Sequence, residues 1–312
     1  MSVNFNNPYQ SYSNQNIWDG IKNSFKEGSN LTKLIYINLG VFLIVKILNV
    51  FSFFIGVQGN QVSFIVHWLS VPADTSALLG RPWTVFSYMF LHEGFWHILI
   101  NMLWLFLFGR IFLTYLDQKK LLSIYILGGL TGAATYIFAY NIFPVFQDVR
   151  FGAYALGASA SVMAIVLATV VYAPNHQFHL IFIGPIKIKY FAIFFIISDI
   201  INIPDGNAGG HIAHLGGAFY GWLFISQLRK GKDISSGFNS LMDSFFGLFT
   251  RKKKMKVSYK NTRNMSDEEY NKSKKVNQEE LNRILDKIAK SGYDSLSKEE
   301  KEILFKSSNQ KE

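Results

Sequence analysis

Two side chains, Ser159 and His214, are of the types that nucleophilic catalysis needs. A serine hydroxyl attacks poorly until a neighbouring base accepts its proton, and histidine is the base whose ordinary pKa lies near working pH. A tetrahedral intermediate also needs hydrogen-bond donors aimed at its developing oxyanion, each commonly worth about 3–4 kcal/mol. Asn101 and His97 offer such donors, and their spacing of four stacks them on one face of a helix, about one turn apart. Ser159 itself begins a helix, where free backbone N–H groups and the positive dipole end favour an anion. Glycine crowds both reacting residues, in Leu156-Gly157-Ala158-Ser159-Ala160 and in Ala213-His214-Leu215-Gly216-Gly217. Gly217 and Gly221 form a GxxxG face through which the helix of His214 can press against the helix of Ser159.

Rival chemistries fit less well. The segment His92-Glu93-Gly94-Phe95-Trp96-His97 has one residue too many for the zinc-protease pattern HExxH. A spacing of five turns its histidines about 140° apart on a helix, so they share no face as zinc ligands would. The soluble-hydrolase elbow G-x-S-x-G fails because Ser161 occupies the second glycine position. A serine-lysine dyad would draw on Lys46, Lys187 or Lys189, and the last two fall on the inner side of the topology below. Asp199 could be an acidic third member or could hydrogen-bond between helices, so it stays outside the catalytic set. His211 is read as a loop hydrogen-bonding residue. No cofactor and no metal is expected.

The elements that must bring these residues together are long and apolar. A helix crossing roughly 30 Å of hydrocarbon at about 1.5 Å per residue needs about 20 mostly uncharged residues. Six stretches qualify, at 31–57, 97–116, 121–140, 156–173, 186–203 and 208–228. Lys46 falls near the middle of the first, where only snorkelling or a shifted boundary accounts for it. The polar first 30 residues contain no apolar region ahead of a small-residue cleavage site, so the amino terminus is expected to stay attached. With no cysteine in the chain, disulfides and thiolate metal sites are excluded.

A net charge of +10 raises the question of nucleic acid. The charge instead gathers after the last apolar run, as Arg251, Lys252, Lys253 and Lys254, which suits the cytoplasmic flank of a membrane helix, and no nucleic-acid partner is expected. With the amino terminus inside, the outer connections 58–96, 141–155 and 204–207 hold only Arg81 and Arg150 among their Lys and Arg, which predicts that both termini face the cytoplasm; the membrane itself is expected to be a bacterial plasma (inner) membrane. Spans two, four and six then run from outside to inside. Their beginnings hold His97 and Asn101, Gly157 and Ser159, and His211 and His214, at one depth in the outer leaflet. Polar groups there are costly, and by default they mark a functional site facing the bundle interior.

The segments Gly80-Arg81-Pro82-Trp83-Thr84, His92 with His97 and Asn101, Gly157-Ala158-Ser159-Ala160, and Ala213-His214 with its trailing glycines resemble the rhomboid intramembrane serine protease family. Their order and their places on spans two, four and six carry the resemblance over roughly 31–228. It implies an all-α polytopic membrane protein with a six-transmembrane-helix bundle. Ser159 would attack the scissile carbonyl, and His214 would serve as general base and then general acid. Asn101, His97 and the backbone N–H of Ser159 would form the oxyanion site, with His92 in a structural role. The implied partners are transmembrane protein substrates, cut at or near their outer juxtamembrane segments, and the lipid bilayer itself. A catalytically silent relative that binds membrane helices is the alternative, and the intact Ser159, His214, His97 and Asn101 argue against it. A transporter would call for inverted repeats, and none is visible. Three positions depart from the family's habit: Thr84 replaces a frequent arginine, Ala160 a frequent glycine, and Met163 a frequent aromatic ring beneath the histidine.

Outside the bundle, 1–30 is rich in Asn, Ser and Gln and 229–275 is basic and polar, so both are expected to lack a packed core. The aromatic-rich stretch 61–96 suits a loop in the outer interface. Residues 276–308 predict a small cytoplasmic helical hairpin. Asn277 with Glu280 caps a first helix bearing Leu281, Ile284, Leu285 and Ile288 on one face, Gly292 breaks it, and Ser297 with Glu300 forms a capping box for a second ending near Phe305. Such a hairpin could dock on an unknown cytoplasmic partner, the membrane surface or a second copy.

Overall fold

A computed structural model describes residues 28–55, 61–180, 184–249 and 267–308 of the chain, which divides into two compact units, 1–250 and 251–312. In the first unit a helix forms at each of the six apolar stretches. The helices of this unit are α1 (Asn30–Phe54), α2 (Gln61–Leu69), α3 (Thr75–Gly80), α4 (Thr84–Ser87), α5 (Phe95–Tyr115), α6 (Gln118–Ile142), α7 (Ser159–Tyr172), α8 (Ile188–Asn202), α9 (Ala208–Leu228) and α10 (Ser236–Phe249). Among the described residues α1, α5 and α6 are long and apolar enough to cross a membrane, and α7 is a shorter apolar helix. The chain is an integral, multi-pass membrane protein.

Local chemistry sets the helix starts. The Ser29 hydroxyl accepts the Thr32 N–H at 3.2 Å ahead of α1, and the Asp117 carboxylate accepts the Lys120 N–H at 2.9 Å ahead of α6. Two boundaries differ from the apolar runs. Helix α7 starts at Ser159 rather than 156, because Gly157 has φ +128°, which no helix accommodates. Helix α8 starts at Ile188 rather than 186, because Gly184–Lys187 form β4, antiparallel to β3 at Gln177–Leu180.

Helix α7 is the axis of the bundle, with every residue from Ala160 to Val170 buried, and α6 and α9 press on it from two sides. A methyl added at Gly217 or Gly221 of α9 would run into the Ala160 or Ala164 carbonyl, and one added at Gly128 of α6 would run into the Ala164 side chain. Backbones this close leave room for hydrogen alone.

The stretch 61–96 is built rather than open. Trp68 and Trp83 stack with ring planes 6° apart, and the Arg81 guanidinium donates to the His67 carbonyl at 2.5 Å. Thr84, fully buried, donates its hydroxyl to the Arg81 carbonyl at 2.7 Å. Val71–Pro72 (β1) pairs antiparallel with Tyr154–Ala155 (β2), the strand just ahead of Ser159. Lys46 finds its reason here, because its ammonium donates at 2.7 Å to the backbone carbonyl of Glu93, at the entry to α5.

Two expectations for the carboxyl-terminal part need correction. The stretch 229–275, expected to lack a packed core, contains α10, which packs on the start of α6, with Ser123 donating to Asn239 at 2.6 Å and Lys119 paired to Asp243 at 2.8 Å. The basic cluster 251–254 and most of 1–30 lie outside the described residues. In the second unit α11 spans Asp267–Ser291, so Asn277 sits inside a helix instead of capping one. Gly292, at φ +76°, does end it. The capping box also forms, with Ser297 N–H donating to Glu300 Oε2 at 2.7 Å and Glu300 N–H to Ser297 Oγ at 3.2 Å, ahead of α12 at Lys298–Ser308.

Candidate active site

Ser159 is the first residue of α7, so its backbone N–H belongs to the first turn, whose donors have no partner within the helix. The turn before it is fixed from outside. Gly157 N–H donates to the Tyr88 carbonyl at 2.9 Å, and the Tyr88 hydroxyl donates in turn to the Gly129 carbonyl of α6 at 2.5 Å. A side chain at Gly157 would stand 3.0 Å from His97 Nε2 and 3.5 Å from Ser159 Oγ, so the glycine keeps open a space that both groups border.

A cavity of about 980 Å³ gathers Ser159, His214, His97, Asn101, Asp199 and Met163, with Trp104 and Phe195 among its apolar walls. Four helices, α5, α7, α8 and α9, thus contribute to one volume. Met163 lines it where an aromatic ring is frequent in the resembled family. Gly217 and Gly221 do not touch this volume; they set how closely α9 approaches α7.

His214 is held from behind. Its Nδ1 lies 2.9 Å from Asp199 Oδ1, and His211 Nδ1 lies 2.8 Å from the same oxygen. A carboxylate only accepts, so both Nδ1 atoms carry hydrogen, and in a neutral imidazole this leaves the lone pair on Nε2. That is the tautomer a general base needs. Among the described residues no hydrogen bond joins Ser159 to His214, and catalytic contacts of this kind are often long before substrate arrives. The Asn101 amide donates at 2.9 Å to the His97 carbonyl one turn earlier, which leaves its second N–H available.

His92 stands apart from this cavity. It is buried, its two ring nitrogens have no partner among the described residues, and its ring meets the edge of His97 at 5.0 Å between centroids. Burial, reinforced by the neighbouring His97, holds its imidazole down at about 4, so it is neutral at working pH. The residue that sequence reasoning left out is Asp199. Its signal was present, because a lone carboxylate in a long apolar run needs a polar partner.

Comparison with known proteins places the rhomboid domain family on residues 79–230 and a family of unknown function (DUF6576) on 266–310. Among curated proteins, the RHOMBOID-like protein 12, mitochondrial, of Arabidopsis thaliana is 28% identical over 208 residues. The match covers 64% of this chain and 58% of that relative, so the chain spans less than two thirds of the relative's length.

Proposed function

The chain carries a rhomboid domain over residues 79–230, and from that premise we propose that it is an intramembrane serine endopeptidase cutting membrane-protein substrates at or near their outer juxtamembrane segments. As Ser159 Oγ attacks the scissile carbonyl, His214 Nε2 takes its proton. Asp199 keeps the opposite nitrogen protonated and stabilises the imidazolium that forms. The oxyanion is met by the Ser159 backbone N–H, His97 and Asn101. His214 then gives the proton to the departing amine, and water repeats the cycle on the acyl-enzyme. The observation that carries this reading is one cavity into which Ser159 and His214 both open, with the Asp199 carboxylate bonded behind the imidazole.

In this reading the helices at all six apolar stretches lie in the bilayer as its six spans, with both termini cytoplasmic as the Lys and Arg asymmetry argues. Helix α7, with 14 residues, is about 21 Å long and falls short of the roughly 30 Å hydrocarbon thickness, so Ser159 lies below the outer surface. A substrate helix must unwind locally to present its carbonyl there, which favours helix-breaking segments. Residues 31–228 would be the protease and 276–308 a cytoplasmic accessory.

The test is co-reconstitution with a panel of single-pass proteins whose outer juxtamembrane segments carry helix breakers, with cleavage sites mapped by mass spectrometry. Wild type should cut within those segments, while Ser159→Ala and His214→Ala should not. A folded wild type that leaves the panel whole and binds its members would be a silent binder of membrane helices.

A further inference from the structure

We propose that Asp199, His211 and His214 form a binding site for a divalent transition-metal ion of the zinc class, and that its occupation switches off the base. The inhibitory half rests on the serine-protease reading; the binding half does not. The three residues place two imidazole nitrogens and one carboxylate oxygen within 4.8 Å of one another, and among the described residues this is the one such group of His, Cys, Asp and Glu. Two imidazoles, a carboxylate and a fourth position open to water make the donor set of a four-coordinate zinc site. The carboxylate is buried while both imidazoles keep about a fifth of their side-chain surface accessible, at 21% for His211 and 22% for His214. Asp199 and His214 line the cavity, so an ion entering it meets two of the three ligands directly.

The geometry is close to what a metal requires. Ligands at about 2.0–2.1 Å from a tetrahedral centre stand about 3.3 Å from each other. The two Nδ1 to Oδ1 distances are now 2.8 and 2.9 Å and open by about half an ångström to receive the ion, while the two imidazole nitrogens, within 4.8 Å of each other, settle near the same 3.3 Å.

The consequence for chemistry follows from where the hydrogens go. Each imidazole now carries its hydrogen on Nδ1. Coordination needs the Nδ1 lone pair, so each neutral ring moves that hydrogen to Nε2 through solvent. Two N–H bonds break, two form, and two metal–nitrogen bonds and one metal–oxygen bond replace the two hydrogen bonds. His214 Nε2, the atom that must accept the Ser159 proton, then has no lone pair to offer. The ion need not touch Ser159 or block the cavity.

The experiment uses the full chain in detergent, with Co²⁺ alone as the binding probe and Zn²⁺ alone as the inhibitor. Wild type is expected to bind Co²⁺ with the intense visible absorption of a four-coordinate site. His211→Gln should weaken that binding by at least about tenfold. Zn²⁺ should slow the reaction of Ser159 with a fluorophosphonate in wild type. His211→Gln should lose Zn²⁺ sensitivity by the same factor, with each protein's rate in Zn²⁺ compared to its own rate without metal. Co²⁺ binding that is equal in the two proteins, or only the weak absorption of a six-coordinate ion, would overturn the site. Should His211→Gln fail to fold, Asp199→Asn read by Co²⁺ absorption alone decides the matter. A wild type that binds Co²⁺ as described but never labels would keep the site and remove the protease reading.

Discussion

Behind His214 one carboxylate oxygen receives two imidazoles, and that arrangement decides which ring nitrogen is free to act as a base. Replacing Asp199 with asparagine removes the charge and offers an N–H where only an acceptor stood, so the imidazole can settle in the wrong tautomer. Asp199→Asn should lower kcat by at least about a hundredfold with KM unchanged, read from steady-state cleavage of a membrane substrate. His92 supplies a second check, in stability. Its folded pKa of about 4 lies below the ordinary 6.5, so above that value it is neutral folded or unfolded. As pH falls from 6.5 towards 4 the unfolded chain takes up a proton that the folded one excludes, and stability drops by up to about 3 kcal/mol. His92→Leu should therefore lose less of its unfolding midpoint than wild type on acidification through that window. That Ser159, His214, His97 and Asn101 share one cavity was legible in the sequence, because a polar side chain at the start of an apolar run is costly in lipid and is turned to the bundle interior. Asp199 was only half legible. Its cost in an apolar run could be seen, but whether it faced His214 depended on the rotation of α8 against α9, which no local pattern encodes.

Helix α7 can carry a nucleophile to the bundle centre because α6 and α9 meet it through glycine. At Gly217 and Gly221 the carbonyls of Ala160 and Ala164 occupy the place of a side chain. Gly217→Val must therefore push α9 away from α7, at a cost of about 1–3 kcal/mol or more, and should take activity with it. Gly152, in the connection between α6 and α7 with open space about it, should accept alanine within about 0.5 kcal/mol in a thermal-unfolding assay. A Gly217→Val protein as stable and active as wild type would show that the close approach is unimportant. The GxxxG face was legible as a pattern, and the six helices were legible as apolar runs. The pairing of β1 with β2, two residues each, was not, because so short a ladder leaves no alternation to read. Helix α11 began well before Asn277 because a cap-type residue marks a helix start only where the preceding residues are not helical themselves. The capping box at Ser297 was legible because its reciprocal hydrogen bonds span only three residues.

The first unit is a membrane bundle with a cavity among α5, α7, α8 and α9, and its orientation in the bilayer is the part that positive charge alone argues. The absence of cysteine gives a clean background for testing it. In intact cells, Gly152→Cys should react with a membrane-impermeant maleimide, and Lys232→Cys should react only after permeabilisation; the reverse pattern would invert the topology. Charge asymmetry is the whole basis for the orientation that this labelling tests, whereas the cavity's shape required four helices in their places. The most direct test of the central claim is reaction of the folded, full-length protein with a fluorophosphonate, the modified residue being identified by mass spectrometry. A modified Ser159, with labelling abolished in Ser159→Ala and reduced by at least about a hundredfold in His214→Ala, is the predicted result. A folded wild type in which Ser159 stays unmodified, or is modified equally fast without His214, would contradict it.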